Sequence, residues 1–219
     1  MLFILLICIF LIPGVQTYTA KKIAESINET YGTQIEIERI KINLNTNIRL
    51  KNALVLDHKK DTLFSIESLS TSIFSLSNLL INSDIDLSST DIDGFDFNLI
   101  RYKGESSDNL DQFLKKFETE TPTESTEPFV LHIDDIYISN SNFKVIDYNL
   151  QTPEAFIIND LMLNLDNLNI VDSDISMDII SLSGTTGYGL KIDELKSKFF
   201  YGISIYMFNE VMNRVGYKQ

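Results

Sequence analysis

Over most of the chain, apolar residues alternate with polar ones at a period of two, the pattern of strands with one dry and one wet face. From Thr33 to Tyr102 the segments QIEIERIKINLN, IRLKNALVLD, TLFSIESLSTSIFS, SDIDLSS and DIDGFDFNLIRY set Ile, Leu and Phe against Asn, Asp, Ser and Lys. The same texture returns from Phe129 to Tyr201 in FVLHIDDIYIS, NFKVIDYN, EAFIINDLMLNLDNLNI, SDISMDIISLSG and GLKIDELKSKFFY. Two stretches follow a helical period instead. In QTYTAKKIAESINETYG, Ala20, Ile23, Ala24, Ile27 and Tyr31 share a face and Gly32 supplies the stop. In SSDNLDQFLKKFETE, Leu110, Phe113, Leu114 and Phe117 form an apolar stripe behind a Ser107 or Asp108 cap. SLSNLL, from Ser75, reads as a single helical turn. ETETPTESTEP, Glu118 to Pro128, has no apolar residue and predicts a loop.

The strand alternation breaks phase repeatedly, in the form apolar-x-apolar-x-x-apolar. It does so at Ile35-Ile37-Ile40 with Ile42 following, and at Phe64-Ile66-Leu69. The break recurs at Leu131-Ile133-Ile136 with Ile138, at Phe156-Ile158-Leu161 with Leu163, and at Leu190-Ile192-Leu195. A degenerate copy, Ile85-Leu87-Thr90-Ile92, lies in the longest gap. The residues inside each slip are polar: Glu38-Arg39, Glu67-Ser68, Asp134-Asp135, Asn159-Asp160 and Asp193-Glu194. A β-bulge or corner at each slip keeps both halves of a strand on one face and bends it, as a curved, repeating β architecture requires. The eighteen apolar residues of the five copies, extended by Ile42, Ile138 and Leu163, are therefore the candidate lining of an apolar groove. A sheet that curls without closing can hold an acyl chain on that lining at about 0.8 kcal/mol per buried methylene.

The pattern divides the chain into residues 1–32 (anchor and helix), 33–104 (first β region), 105–128 (helix and acidic loop), 129–201 (second β region) and 202–219, where the strand texture stops. The fold class it predicts is mainly β: a membrane helix, then a curved, solenoid-like groove with a short helical insertion. The leader carries an unbroken apolar run, Leu2, Phe3, Ile4, Leu5, Leu6, Ile7, Cys8, Ile9, Phe10, Leu11 and Ile12, ended by Pro13 and Gly14. It lacks a basic flank and a small-x-small cleavage site, which favours an anchor over a cleaved signal. A span needs roughly 20 apolar residues, so the anchor's first turns are expected upstream of Met1.

The net charge of −13 excludes nucleic acid as the natural partner, since phosphate binding needs clustered Lys and Arg. Cys8 is the single cysteine and lies in the leader, so the β regions have no thiol for a disulfide, a zinc site or a nucleophile. The two histidines, His58 in a turn and His132 opposite an apolar strand face, have no metal-ligand spacing and read as surface residues. No Walker loop, G-x-G-x-x-G or G-x-S-x-G occurs. Asp134-Asp135 and Asp91/Asp93 suit solvated corners better than an acid–base pair, because acidic residues recur at the slips. No catalytic residue, cofactor or metal is assigned.

In order along the chain, IPGVQTYTAKKIAESINETYGTQIEIERIKINL, IRLKNALVLDHKKDTLFSIESLSTSI, GFDFNLIRYKGESSDNLDQFLKKFE and PFVLHIDDIYISNSNFKVID resemble the N-terminal part of the TamB (translocation and assembly module) family of Bacteroidota, within the AsmA-like proteins. The likeness covers about residues 1–201. It implies an inner-membrane anchor and a periplasmic β-groove folded like a taco shell. It also implies a role in outer-membrane biogenesis, through phospholipid passage or, with an outer-membrane partner, protein secretion and assembly. Members of the family are far longer, so the resemblance makes this chain a truncated or fragmentary member. The alternative expectation is an anchored structural or adhesion solenoid with its apolar face packed shut and a protein as its partner.

Overall fold

The computed structural model describes residues 12–43, 45–73, 84–117, 130–151, 155–171 and 174–201. Leu2 to Leu11 of the apolar run, Cys8, the turn expected at Ser75, the acidic loop and residues 202–219 lie outside the described residues. The chain enters through helix α1, Pro13–Tyr31, with Pro13 in its first turn and Gly32 in a left-handed conformation (φ 63°) at its end. Proline suits the first turn, where its missing N–H leaves no bond unmade, and glycine takes positive φ without a Cβ clash.

Among the described residues nine strands follow: β1 Gln34–Ile42, β2 Asn47–Leu56, β3 Thr62–Ser72, β4 Asp84–Leu87, β5 Thr90–Arg101, β6 Val130–Asp147, β7 Ala155–Val171, β8 Asp174–Thr186 and β9 Lys191–Tyr201. Between β5 and β6 lies the short helix α2, Asn109–Leu114, running into a 3-10 turn, Lys115–Phe117. Asp108 caps α2 by accepting a 2.8 Å hydrogen bond from the Asp111 amide. All strands join one curved, unclosed sheet in the order β1-β2-β3-β5-β6-β7-β8-β9, with β4 beside β6. The chain is therefore mainly β, as its alternation requires.

The two β regions are halves of that single sheet. They meet where β5 runs parallel to β6, from Thr90 opposite Ile136 to Arg101 opposite Asp147. The α2 segment makes the crossover that a parallel pair needs. Every other pairing along the main path is antiparallel.

The phase slips take a more concerted form than isolated bulges. From β1 through β3 to β5 the pairing register is unchanged across the slip, so each strand carries its extra residue at the same level. The slip residues Glu38, Asn52, Glu67 and Gly94 form an unpaired line across the sheet. Asn52, Gly94, Asn140, Asp160 and Asn167 supply the bend by adopting positive φ, 48° to 67°. Asn, Asp and Gly tolerate that region best. This transverse line runs through β1, β2, β3 and β5 together. Between β6 and β9 the register does shift, which is the bulge-like behaviour expected.

Candidate functional site: the apolar face of the sheet

Strand partners share a face, so the pairing registers can be followed from edge to edge. One row reads Ile40, Leu50, Leu69, Ile92, Ile138, Leu163, Leu182, Leu195. It crosses all eight strands of the main path with no polar side chain. At about 4.8 Å between strands, its seven steps span roughly 34 Å.

On one side of this row lies a second, Ile35, Val55, Phe64, Phe97, Phe143 and Ile158. Its rings, joined by Phe95, form a chain with centroid separations of 6.1, 6.0 and 5.7 Å from Phe64 to Phe143. Ile37, Ala53, Ile66 and Phe95 fill the level between the two rows. On the other side, Ile42 and Ile48 lead to Thr71, and Thr90 leads on to Ile136, Leu165 and Ile179. Thr71 and Thr90 satisfy each other through a 2.7 Å hydroxyl contact and are buried, so the row stays dry at its polar step.

Burial along this face is graded. Ile133, Ile136, Ile138 and Leu165 are 4–6% exposed and pack with Ile92, Phe95, Leu163 and Ile179. Ile158 and Leu161 are likewise buried. Ile35, Ile37, Ile40, Ile42, Phe64, Ile66, Leu69, Leu131, Leu163 and Ile192 are half-buried. Phe156 and Leu195, at one end and one edge of the sheet, are exposed, and Leu190 lies in the turn before β9 at 69% exposure. Seventeen of the eighteen candidates occupy strands of one sheet, and Leu190 alone is outside them.

The candidate lining left out three of the row's eight residues, Leu50, Ile92 and Leu182, and the phenylalanines of β5 and β6 beside it. Their signal was present in weaker form. Ile48-Leu50-Ala53, Thr90-Ile92-Phe95 and Ile136-Ile138-Ser141 fit the same slip template once Ala, Ser and Thr count as inward residues. Ser141 is fully buried, where its Oγ accepts from the Phe95 amide at 2.8 Å and donates to the Ser139 carbonyl.

A polar knot fastens α2 to one end of the sheet. Asp57, 1% exposed, accepts from Tyr102 Oη (2.6 Å), Asn109 Nδ2 (3.1 Å) and the amides of Lys59 and Asp61. Burial opposes the Asp57 charge, but these four donors outweigh it and hold its carboxyl below the usual value. Burial and the two carboxylates at its hydroxyl push the Tyr102 phenol up. Asn109, fully buried, donates to the Asn98 carbonyl and accepts from the Ile100 amide, standing in for a strand neighbour. His58, expected at the surface, contacts Glu105 at 3.0 Å, and Gln112 donates to the same carboxylate at 2.6 Å. Partial burial opposes the Glu105 charge, and donation from His58, Gln112 and Lys59 overcomes it, holding the carboxyl at about 2.

On the opposite face of the sheet, His132 lies between Asn169 (2.7 Å) and Asp134 (2.9 Å). Its hydrogen bond with Asn169, and then Asp134 and Asp86, raise its pKa against a smaller opposing effect of burial. Asp135, Asp166 and Asp178 follow one another across β6, β7 and β8, and desolvation with the Asp135 charge raises Asp166. Among the described residues, no group of three or more His, Cys, Asp or Glu is arranged to hold a metal ion. No described helix is long and apolar enough to cross a membrane.

The chain matches no model of a known protein family and no curated protein.

Proposed function

We propose that this chain is a non-enzymatic groove protein of the TamB/AsmA-like type, with the apolar face as its working surface and phospholipid or acyl chains as its guests. The leader holds it in the inner membrane as a single-pass anchor. The β-sheet stands in the periplasm as a taco-like trough serving outer-membrane biogenesis, alone or with an outer-membrane assembly protein. One observation carries the reading: the aliphatic row from Ile40 to Leu195, continuous across the sheet and half-buried along much of its length. A surface with no hydrogen-bonding group along roughly 34 Å suits a methylene chain and offers nothing to a polar ligand. About twelve buried methylenes are worth on the order of 10 kcal/mol before the costs of immobilising the guest.

The alternative, a packed structural or adhesion module, draws on the dry cluster around Ile133, Ile136, Ile138 and Leu165. The two readings part at Leu69, which is half-buried in mid-row. Uptake of a fluorescent fatty acid by the full chain and by Leu69→Asp and Ser70→Asp tests the choice. The groove reading expects the first substitution to weaken uptake and the second, on the other face, to leave it unchanged. Equal uptake by all three proteins overturns it.

A further inference from the structure

Helix α1 lies along the outer edge of β1 and engages it in an unusual way. Gln16 Nε2 donates to the Ile42 carbonyl at 2.8 Å while its Oε1 accepts from the Ile42 amide at 2.9 Å. Thr17 Oγ1 does both for Ile40, at 3.0 and 3.2 Å. Asn28 repeats the pattern at Ile35, at 2.9 and 2.8 Å, and also accepts from the Thr33 hydroxyl. Three side chains thus present a donor and an acceptor each, as peptide groups of a neighbouring strand would. Gln16 is 2% exposed, so its amide is committed to this contact, and Ala24 at 5% seats the helix.

The opposite edge has no such guard: among the described residues, β9 pairs only with β8. β9 runs in the same direction as β1, because six antiparallel steps and one parallel step separate them. A second copy can therefore offer its β1 alongside β9 in parallel register. Placing Leu195 opposite Ile40 continues the aliphatic row, and the same register sets Ile192 opposite Ile37, matching the two slips. Its charged pairs balance: Lys191 with Glu36 and Glu194 with Arg39 are opposite in sign, while Asp193 with Glu38 and Lys196 with Lys41 are alike.

We propose that α1 is a strand surrogate masking the β1 edge, and that the masked edge is built to receive β9 of a second copy of this chain. Displacing α1 then lets copies add head to tail. Such contacts are heterologous and do not close, so the product is an open series and not a dimer. The proposal stands independently of what the apolar face carries.

The test uses the full chain with Gln16→Ala, Thr17→Val, Asn28→Ala and Ala24→Asp combined, compared with the unaltered chain in the same detergent. Amide exchange at Ile35, Ile40 and Ile42 reports release of the helix, and sedimentation at rising concentration reports assembly. The expected result is at least tenfold faster exchange in dilute solution and species that grow past the dimer with concentration. Adding Lys196→Pro to β9 is expected to return the variant to the mass of the unaltered chain, since proline is tolerated at an edge but removes a donor. Unchanged exchange, freed amides without growth, growth that stops at two copies, or growth indifferent to Lys196→Pro each overturns the proposal.

Discussion

Gly94 is where the transverse corner can be tested by a single methyl group. Its φ is +67°, and a Cβ built there meets the Cγ, Cδ and Cβ of Glu67 at 2.5, 2.7 and 2.8 Å. Gly94→Ala carries two costs: about 1–2 kcal/mol for a non-glycine residue in the left-handed region, and about 1–3 kcal/mol for the crowding. Loss of unfolded-chain entropy returns about 0.4–1 kcal/mol. The net expectation is a loss of about 2–3 kcal/mol. With a urea m-value of about 2 kcal/mol/M, the unfolding midpoint falls by about 1–1.5 M. The crowding part has a partner, so a double-mutant cycle isolates it. In a Glu67→Gly background the alanine at 94 is expected to cost at least about 1 kcal/mol less. Asn140→Gly, at another left-handed corner residue (φ 49°), should change stability by under about 1 kcal/mol. A Gly94→Ala protein within about 0.5 kcal/mol of the unaltered chain refutes the corner geometry, and an absent cycle coupling refutes the Glu67 contact.

Asp57→Ala leaves one Asn109 amide hydrogen and the backbone amides of Lys59 and Asp61 without their acceptor, with Tyr102 held by Asp61 alone, and is expected to lower unfolding stability by about 3 kcal/mol in urea titration. Leu69→Asp is expected to weaken acyl-probe affinity by roughly 100-fold. A guest that avoids the carboxylate gives up about four methylenes, or about 3 kcal/mol, while the free protein keeps the new charge in water. Glu105 and Asp57 both titrate lower in the folded chain than in the unfolded one. Their contribution is complete above about 4.5, the unfolded Glu105 value, and drains away as pH falls toward about 2 for Glu105. Glu105→Gln is therefore expected to flatten the acid limb of a stability–pH curve. His132 has the opposite sign. Its raised folded pKa adds stability that is full below 6.5 and lost as pH rises through the folded value, so His132→Gln should remove a decline on the neutral side.

How far the fold could be read from sequence depended on the range of the interaction. The alternation and the slips at Ile37-Ile40, Ile66-Leu69 and Ile158-Leu161 are local, and each falls in a strand as the pattern required. The opening of α1 was placed a turn late, because Pro13 reads as a breaker although it sits in the first turn. The parallel β5–β6 joint was not legible, since nothing within either strand encodes which distant strand it meets. The apparent copy Ile85-Leu87-Thr90-Ile92 proved to be two strands, with the Ser88 amide turned to the Ser72 carbonyl between them. Asn28, which heads an Asn-Glu-Thr glycosylation pattern, has its amide committed to Ile35, and no spacing rule could have assigned that role. His58 read as a surface turn residue because its partner Glu105 lies far along the chain. For the candidate site, the aliphatic residues were legible one strand at a time, while their alignment into a single row emerged only from the pairing registers.

On the proposed function, the row from Ile40 to Leu195 stays available to an acyl chain. This is tested most directly by photolabelling the full chain in its membrane with a fatty acid carrying a mid-chain diazirine, followed by peptide mapping. The expected adducts fall on Leu50, Leu69, Ile92 and Leu163, with Ser70 and Asp91 on the other face unlabelled and Leu69→Asp abolishing the set. Labelling confined to the apolar leader, or spread equally over both faces of the sheet, contradicts it.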